Sequence, residues 1–460
     1  MDGGGRFEIE DLLLKLDLKE EYIVNTYNRL LVSLAGFLLL SFAGPRVFAQ
    51  SHPEFVQFPR RAMGALYKPD SGPAPHVGVI VIHRTSNFMS HTACTNLSSR
   101  GFMVLCMNTR FDNNESKVIF EELALDVKAG VNYLKNTQHM TKVVLLGHSG
   151  GGPTSSFYQA VAETGPSFCT DPNKLTQCDN SNNDFTNLPK ADGIVFVDAH
   201  PGVGIIGMLR SNNPAVVNEA RPDLLRPDLD PFDPANGYNP DGPSAYSDRF
   251  KKKYFAAQSE RMDDWIAKAQ RIRDEVGKDA YIYTDDGPAV IGASTSAKLF
   301  NLDPTILCCT LQPHKLIQND GSIVTQIIQS VRTAHPENKD DNATFNGGGR
   351  LLTANSFLSA NAIRSTNSID GIDYCSSNNS TACNVQHISV PVLFTAMGGY
   401  YFIRDNEVHY NYANSVDKDF VVAAGLLHGI TPCNNCAGGP YTNVPAHYWD
   451  YVRDWINARF

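Results

Sequence analysis

The stretch Val143-Val144-Leu145-Leu146-Gly147-His148-Ser149-Gly150-Gly151 decides the fold of this chain. Its first four residues are an apolar run typical of a strand buried on both faces, and a G-x-S-x-G pattern follows directly. Glycines two places before and after Ser149 remove the Cβ atoms that would collide in a tight turn from strand to helix. Residues 154–163 can then run as a helix whose N-terminal amides face that turn. The pattern favours a nucleophile elbow carrying Ser149 over a plain glycine-rich turn.

Length and composition exclude several classes of protein. The chain has 460 residues, of which 42% are hydrophobic, enough for one large core and a sizeable insertion. Its formal net charge of -9 is spread thinly, and no Lys/Arg-rich stripe with interleaved aromatic residues appears. We therefore expect no nucleic acid partner. No H-E-x-x-H motif and no G-x-G-x-x-G in a dinucleotide-binding context occur, so we expect neither a metal nor another cofactor.

The N-terminal region predicts export from the cytosol. Residues 30–44 form an apolar run that is short for a membrane span but suits a signal-peptide core. Val47-Phe48-Ala49 supplies small residues at the spacing of a cleavage site, so we expect cleavage after Ala49. The preceding residues 1–29 are long and acidic for the start of a signal peptide. Three alternatives follow: a later start of translation, an uncleaved anchor through residues 30–49 that would attach the protein to a membrane, or a cytosolic protein.

The cysteine pattern fits an oxidising compartment. Ten cysteines occur, and three close pairs in polar, loop-like sequence predict local disulfides: Cys169 with Cys178, Cys375 with Cys383, and Cys433 with Cys436. A zinc site on Cys433-x-x-Cys436 lacks a second ligand pair at zinc-finger spacing. Of the remaining cysteines, Cys94 and Cys106 fit buried thiols, and at most one of the adjacent Cys308 and Cys309 should find an outside partner without strain.

Acceptor sequences for N-glycosylation point to the same compartment. The pattern N-x-S/T occurs at Asn96, Asn114, Asn342, Asn378 and Asn379. The last two lie in the polar residues 376–381, for which the composition predicts an exposed loop. We therefore expect a glycoprotein.

The order of apolar runs predicts a parallel sheet wound with helices. Strands are predicted at 77–82, 102–107, 143–146 and 193–197, with helices at 90–100 and 119–135 between them. The rhythm stops at Pro201, and residues 201–386 contain proline-rich stretches, polar loops and one charged helix at 247–275. Strands return at 390–394 and 419–423, and a helix at 448–458 closes the chain. We expect a signal peptide or anchor at 1–49, one α/β core formed by 50–200 and 387–460, and a cap inserted at 201–386.

These elements resemble the α/β-hydrolase family over the core, while the cap has no counterpart. In that family the nucleophile, the acid and the histidine follow in this chain order, with the histidine in a loop after the last strand. The matching position is His428, in Gly425-Leu426-Leu427-His428-Gly429. Three other histidines fit less well: His447 belongs to the C-terminal helix, His409 precedes the last strand, and His148 is too close in sequence to Ser149.

The position of the acid in this chain departs from the family's usual pattern. Its usual place follows the strand at 390–395, where this chain has Met397-Gly398-Gly399-Tyr400-Tyr401 and no carboxylate. A variation within the family places the acid after the preceding strand, and that position is Asp198, where ligands meet open α/β sheets. The alternatives are Asp405 and Glu407, at a predicted helix start, where such residues also serve as first-turn charges.

The resemblance also implies an oxyanion hole and a pocket. Its donors should be the backbone N–H of Gly150 and one from the loop at Arg84, where the family has a glycine. His200 is expected at the pocket beside Asp198. Aromatic residues of the cap such as Phe232 and Tyr238 either line a substrate pocket or form the core of the cap; the others are Tyr246, Tyr254 and Phe255.

The sequence thus predicts a secreted serine hydrolase that cleaves a carboxylic ester or lactone of a small to medium, apolar or aromatic substrate through an acyl-enzyme. An amidase or peptidase would use the same three residues. A binding protein on a hydrolase scaffold is a second class of alternative, disfavoured by the intact Ser149 and His428. A dehalogenase or epoxide hydrolase would need aspartate at position 149.

Overall fold

The computed structural model describes residues 52–460, apart from 220, 288, 291–298, 300–301 and 333–349. The predicted signal segment at 30–49 and the sequon at Asn342 lie outside the described residues. The strands are β1 (Glu54–Gln57), β2 (Met63–Tyr67), β3 (Val77–Ile82), β4 (Met103–Asn108), β5 (Lys142–His148), β6 (Gly193–Val197), β7 (Val216–Asn218), β8 (Arg221–Leu225), β9 (Ala289–Val290), β10 (His314–Ile317), β11 (Ile323–Gln326), β12 (Arg350–Leu351), β13 (Val392–Met397) and β14 (Lys418–Ala423).

The α-helices are numbered in chain order. They are α1 (Thr92–Ser98), α2 (Leu123–Asn132), α3 (Gly151–Thr164), α4 (Val203–Ile206), α5 (Asp248–Val276), α6 (Ala354–Ser356), α7 (Thr381–Asn384), α8 (Ile403–Tyr412) and α9 (Val444–Asn457). The predicted helix at 119–135 is α2 flanked by a 3-10 turn and a π turn. The strands and helices predicted for the core are present.

Ten of the described strands form one sheet in the order β1-β2-β4-β3-β5-β6-β13-β14-β10-β11. Pairing is parallel from β4 to β10, and β1, β2 and β11 are joined antiparallel. Central strands such as β3 and β4 are buried along their whole length, which explains their unbroken apolar sequence.

Alternating side chains of the central strands supply two cores, one on each face of the sheet. In β5, Val143 and Leu145 enter the core covered by α2, α3 and α8. Val144 and Leu146 enter the opposite core, which α1 and α9 cover. The sheet therefore lies between two helical layers, and its strand ends form an edge at which β5, β6 and β13 stop side by side.

The insertion does not end as the sequence predicts. Residues 201–386 were expected to leave the sheet, yet β10 pairs in parallel with β14, and β11 closes that edge of the core sheet. Each of these strands has only four residues, too few to give a clear period in the sequence. The rest of the insertion packs around α5, where Ser247 caps the helix by accepting a hydrogen bond from the Phe250 N–H at 3.2 Å.

Two expectations about loops are corrected. The predicted local disulfides are present, but Cys94 is also joined to Cys106 and Cys308 to Cys309, where free thiols or an outside partner were expected. Cys94 on α1 meets Cys106 on β4 because this helix packs over that strand, a contact that sequence spacing does not reveal. Asn378 and Asn379 are fully buried, so the predicted exposed loop is an interior segment.

The buried segment has a specific polar role. The Asn378 amide donates to Glu121 Oε1 at 2.8 Å, and the Asn379 amide donates to the Ala360 carbonyl at 2.6 Å. Polar residues in the interior are stable when they are hydrogen-bonded in this way. These two asparagines are thus committed within the fold and are not available for glycosylation in the native protein.

No helix among the described residues is both long and apolar enough to cross a membrane. Within the same residues, no cluster of three or more His, Cys, Asp or Glu side chains is arranged to hold a metal ion.

Candidate active site

Ser149 stands in a strained turn between β5 and α3. Its backbone φ is 57°, in the left-handed region that non-glycine residues rarely occupy. The turn brings α3 so close to the sheet that a Cβ on Gly151 would lie 1.9 Å from the Ile82 carbonyl oxygen, and only glycine fits there. The predicted elbow geometry is present, and it projects the serine from the carboxyl edge of the sheet.

The turn after β6 is bound to this elbow. The Ser149 N–H donates to the Val197 carbonyl at 3.0 Å, and the His200 N–H donates to the Ser149 carbonyl at 2.9 Å. Asp198, between them, also has a positive φ, of 43°. Because the two neighbouring strands end in register, Asp198 and His200 are held beside the serine.

A carboxylate–histidine pair lies at the same edge. The Asp198 Oδ2 atom is 2.5 Å from His428 Nδ1, and its Oδ1 accepts a hydrogen bond from the Met397 N–H at 3.1 Å. The Asp198 side chain is fully buried, whereas 25% of the His428 side chain is exposed. The three residues picked from the sequence as nucleophile, base and acid thus converge from three separate segments.

The serine hydroxyl, however, makes its hydrogen bond to a different histidine. Ser149 Oγ is 2.9 Å from His200 Nε2. Burial, together with the positive charge that His428 can carry, lowers the pKa of His200 well below its usual value, so this ring is neutral at physiological pH. Its Nδ1 atom is buried without a hydrogen-bond partner among the described residues. The sequence predicts His200 at the pocket but not its contact with the nucleophile.

Further histidines surround the pair: His148, set aside as the base because it is too close in sequence to Ser149, and His91, which no sequence pattern marks. His148 Nδ1 is 2.8 Å from His91 Nε2, and the His148 ring lies 4.6 Å from the ring of His428. Burial lowers the pKa of His148 well below the usual value and that of His91 to about 4. His148 is therefore a neutral wall of the site. The only available signal was its place inside the elbow.

Aromatic rings pack against His428. Tyr400 stacks on it with ring centroids 4.5 Å apart, and Phe402 contacts it edge-on at 5.5 Å. Phe402 also contacts His200, and the guanidinium of Arg210 from the insertion lies 4.8 Å from the Phe402 ring centre. These aromatic residues stand where the related family usually has its acid. The insertion thus reaches the site through Arg210.

The two alternative acids are bound elsewhere. Asp405 is buried and forms an ion pair with Arg210; burial raises the pKa of this carboxyl. Glu407 is buried and accepts hydrogen bonds from the backbone N–H groups of Leu311 and Gln312 at 2.7–2.8 Å. Both carboxylates hold the insertion to the core, whereas the carboxylate in contact with His428 is that of Asp198.

Comparisons with known proteins find only distant similarity. No protein-family model and no curated protein matches the chain. Similar solved structures include DcsB in complex with its substrate analogue, at 11% identity over 88% of this chain and 99% of that chain, with a TM-score of 0.42. The siderophore hydrolase EstB from Aspergillus fumigatus has 9% identity over 91% and 100%, with a TM-score of 0.40. Brefeldin A esterase, a bacterial homologue of human hormone-sensitive lipase, has 10% identity over 90% and 77%, with a TM-score of 0.38.

The architecture itself decides the fold. The sheet begins β1-β2-β4-β3-β5-β6, with β2 antiparallel and a serine elbow between β5 and the next helix. The fold is that of the α/β hydrolases. Within this hydrolase fold, Asp198 follows β6 and His428 follows β14, which matches the chain order of the resemblance.

The loop after β3 differs from the expected oxyanion loop. The Arg84 side chain is buried and pairs with Glu115, with Nη2 2.7 Å from Oε2. The Arg84 carbonyl accepts a hydrogen bond from Thr109 Oγ1 at 2.6 Å. Instead of a guanidinium, the imidazole of His83 faces Gly150: a Cβ at position 150 would lie 2.8 Å from His83 Nε2. The Arg84 guanidinium is therefore engaged with Glu115.

The aromatic residues proposed for the pocket belong to the insertion's interior. Phe232 is buried in a cluster with Tyr246, Phe250 and Tyr254, and Tyr238 packs against it with ring centroids 5.6 Å apart. This is the cap-core alternative that the sequence left open. The rings that contact the candidate catalytic histidines are those of Tyr400 and Phe402.

Proposed function

We propose that this protein is a serine hydrolase that cleaves carboxylic esters through an acyl-enzyme. The observation that carries the proposal is the Asp198–His428 pair, 2.5 Å apart, placed beside the strained elbow of Ser149. A nucleophile, a base and a group that orients the base are the minimum for this chemistry. The proposal is supported by the position of Ser149, Asp198 and His428 at one sheet edge, although they come from segments far apart in sequence.

In the proposed reaction, Ser149 Oγ attacks the ester carbonyl carbon and His428 takes its proton. The C=O π pair moves to oxygen, giving a tetrahedral oxyanion. When the oxyanion collapses, the alkoxide leaves with the proton from His428, and the acyl group remains on Ser149. Water, deprotonated by His428, then attacks the acyl carbon and releases the carboxylic acid with the serine restored.

The electrostatics favour His428 over His200 as the base. When the base takes the serine proton it becomes a positively charged imidazolium. At His428 this charge is stabilised by the neighbouring Asp198 carboxylate. With charge centres about 4 Å apart and an effective dielectric constant near 20, that attraction is worth about 4 kcal/mol. His200 has no carboxylate at its Nδ1, and its pKa is lowered by burial and by the charge on His428.

The hydrogen bond between Ser149 and His200 then describes a resting arrangement. Rotation about the serine Cα–Cβ bond moves Oγ from His200 toward His428, and the two histidine rings lie nearly parallel with centroids 6.3 Å apart. Catalytic hydrogen bonds are often tightened only when substrate is bound. We assign His200 to positioning the hydroxyl before substrate arrives.

The substrate class follows from the walls of the site. Tyr400 and Phe402 pack against His428, and the neighbouring His91 and His148 are neutral because burial lowers their pKa values. Apolar and aromatic walls favour a small to medium ester of similar character. Arg210 connects the insertion to this wall.

Secretion is part of the same proposal. Five disulfides join the ten cysteines of the chain, and such bonds persist in oxidising compartments. The predicted signal sequence ending at Ala49 is consistent with that compartment.

The test combines active-site labelling with a substrate panel. Wild-type protein should take up a fluorophosphonate probe at Ser149 and hydrolyse p-nitrophenyl esters, with a preferred acyl length. Ser149→Ala should lose labelling and lower kcat by about 10⁴-fold or more with an unchanged melting temperature. Matched amides measured in parallel separate an esterase from an amidase. Retention of most activity by Ser149→Ala would reject the proposed function.

A further inference from the structure

The His83 ring is fixed in one tautomer by its own loop. Its Nδ1 atom accepts hydrogen bonds from the backbone N–H of Thr85 at 3.0 Å and of Ser86 at 2.8 Å. A nitrogen that accepts such bonds carries no proton, so in the neutral ring the proton is on Nε2. His83 therefore presents an N–H donor at the opposite end of the ring from the loop.

That donor lies beside Gly150, the residue after the nucleophile. His83 directly follows β3, and β3 lies next to β5, which ends at the elbow. A Cβ on Gly150 would lie 2.8 Å from His83 Nε2 and 3.2 Å from its Cε1, so the ring occupies the space beside this glycine. The N–H of the residue after the nucleophile is the usual first donor of an oxyanion hole in this fold. His83 Nε2 and the Gly150 backbone thus border the same small volume.

The ring stays neutral while it donates. Burial, reinforced by the neighbouring Arg84 cation, lowers the pKa of His83 to about 3. Only 5% of the residue is exposed, so its orientation is held by packing, including a contact with the Phe88 ring at 4.9 Å. A neutral donor of this kind can stabilise a developing negative charge without delivering its proton to it.

Two backbone N–H groups of the loop are occupied. In this fold a backbone N–H of the loop after β3 usually provides the second oxyanion donor. Here the N–H groups of Thr85 and Ser86 point at His83 Nδ1. The imidazole takes up these two donors at one end and offers one donor at the other.

We propose that His83 Nε2–H is an oxyanion-hole donor that acts together with the Gly150 N–H on the tetrahedral intermediate. This role rests on the proposed function of Ser149. It makes His83 a catalytic residue that binds the negatively charged oxygen. It also explains glycine at position 150, because a Cβ there would collide with the His83 ring.

Two substitutions at position 83 separate the donor from the support of the loop. In His83→Asn the amide oxygen can accept from Thr85 and Ser86 in place of Nδ1, but nothing reaches the Nε2 position. In His83→Gln the amide nitrogen can reach the Nε2 position and donate. We expect His83→Asn to lower kcat for a p-nitrophenyl ester by about 10²- to 10³-fold with KM changed by less than about threefold, as for the loss of one oxyanion donor. His83→Gln should recover at least tenfold of that loss.

A second measurement uses the unmodified protein and does not depend on the variants folding. In ¹⁵N-histidine-labelled wild type, NMR should show His83 protonated at Nε2 between pH 6 and 8. Addition of an alkyl trifluoromethyl ketone, which forms a tetrahedral oxyanion on the serine, should shift that Nε2–H proton downfield. The inhibition constant of this ketone should rise in His83→Asn in parallel with the fall in kcat.

The outcomes are distinct. If wild type hydrolyses esters and reacts with the phosphonate but His83→Asn keeps kcat within threefold, or if the Nε2–H signal does not respond to the ketone, the role of His83 is wrong and the proposed function stands. If His83→Gln is more impaired than His83→Asn, the ring acts as loop support and not as an oxyanion donor. If wild type neither hydrolyses esters nor takes up the phosphonate, the proposed function fails, and this role fails with it.

Discussion

Replacing Asp198 with asparagine tests the proposed catalytic arrangement most directly. Asn keeps the shape of Asp, and one amide atom can still face the Met397 N–H that Asp198 Oδ1 now accepts at 3.1 Å. The other faces His428 Nδ1. If that atom is NH₂, it donates to Nδ1 and forces the proton onto Nε2, where the ring can no longer accept the proton of Ser149.

The size of the effect follows from the 2.5 Å contact between Asp198 Oδ2 and His428 Nδ1. Loss of the carboxylate removes about 4 kcal/mol of attraction to the imidazolium, which corresponds to roughly 10³-fold in rate. The wrong tautomer adds to this loss. We therefore expect kcat to fall by about 10⁴-fold in Asp198→Asn, with KM within a few-fold of wild type.

The matched control is Asp405→Asn, because Asp405 is also a buried carboxylate near the same edge but pairs with Arg210. Removing one partner of a buried ion pair typically costs about 3 to 5 kcal/mol of stability. We expect a lowered melting temperature and a kcat within about tenfold of wild type. Both are measured with a p-nitrophenyl ester and by calorimetry. If Asp405→Asn abolishes turnover while Asp198→Asn retains it, the acid lies after β13 and the reasoning from the Asp198 contact is refuted.

Three further predictions follow from other contacts. His428→Gln should lower kcat by about 10⁴-fold while His200→Gln lowers it less than about a hundredfold, since the second residue positions the serine without taking its proton; equal losses would make both histidines part of the proton transfer. Burial lowers the pKa of His409 to about 3, so below about pH 6.5 the unfolded chain binds a proton at this residue and the native protein does not. The free energy of unfolding should therefore decrease as the pH falls from 6.5 toward 3, by up to about 1.4 kcal/mol per pH unit. In urea unfolding between pH 7 and 4, the free energy of unfolding should depend on pH less steeply in His409→Phe than in wild type, by the equivalent of one proton. Identical slopes in the two proteins would contradict this prediction. Phe402→Ala should change the preference between aromatic and short acyl esters by about tenfold or more, whereas Phe232→Leu, in the insertion's core, should lower the melting temperature and leave the preference unchanged. If the ester preference changes only in Phe232→Leu, the specificity pocket lies in the core of the cap.

Local patterns determined the parts of this protein that depend on near neighbours in sequence. The elbow could be predicted because glycines at 147 and 151 and a buried strand are a local steric requirement. The core strands could be predicted because burial on both faces leaves an unbroken apolar run. The close cysteine pairs follow the same principle, since a short polar loop brings its own ends together.

Contacts between distant segments needed the structure. Asp198 could be named as a candidate, but only the paths of β6 and the loop after β14 place its carboxylate on His428 and leave Asp405 with Arg210. The sequence places His83 in the loop after β3, next to Arg84, but does not show what its ring contacts. Its meaning comes from two backbone N–H groups at one end of the ring and Gly150 at the other.

The corrected expectations have the same physical origin. Residues 376–381 read as an exposed loop because polarity was the only signal, yet tertiary packing supplies buried hydrogen-bond partners such as Glu121 for Asn378. The strands β10 and β11 are too short for a period and gain their identity only by pairing with β14. The sequence by itself determined the α/β core and the elbow, and it indicated Ser149 and His428 while leaving the acid open among Asp198, Asp405 and Glu407. The tertiary structure decided which histidine the serine contacts, which carboxylate supports the base and which rings surround it, because those depend on how separate loops meet at one sheet edge.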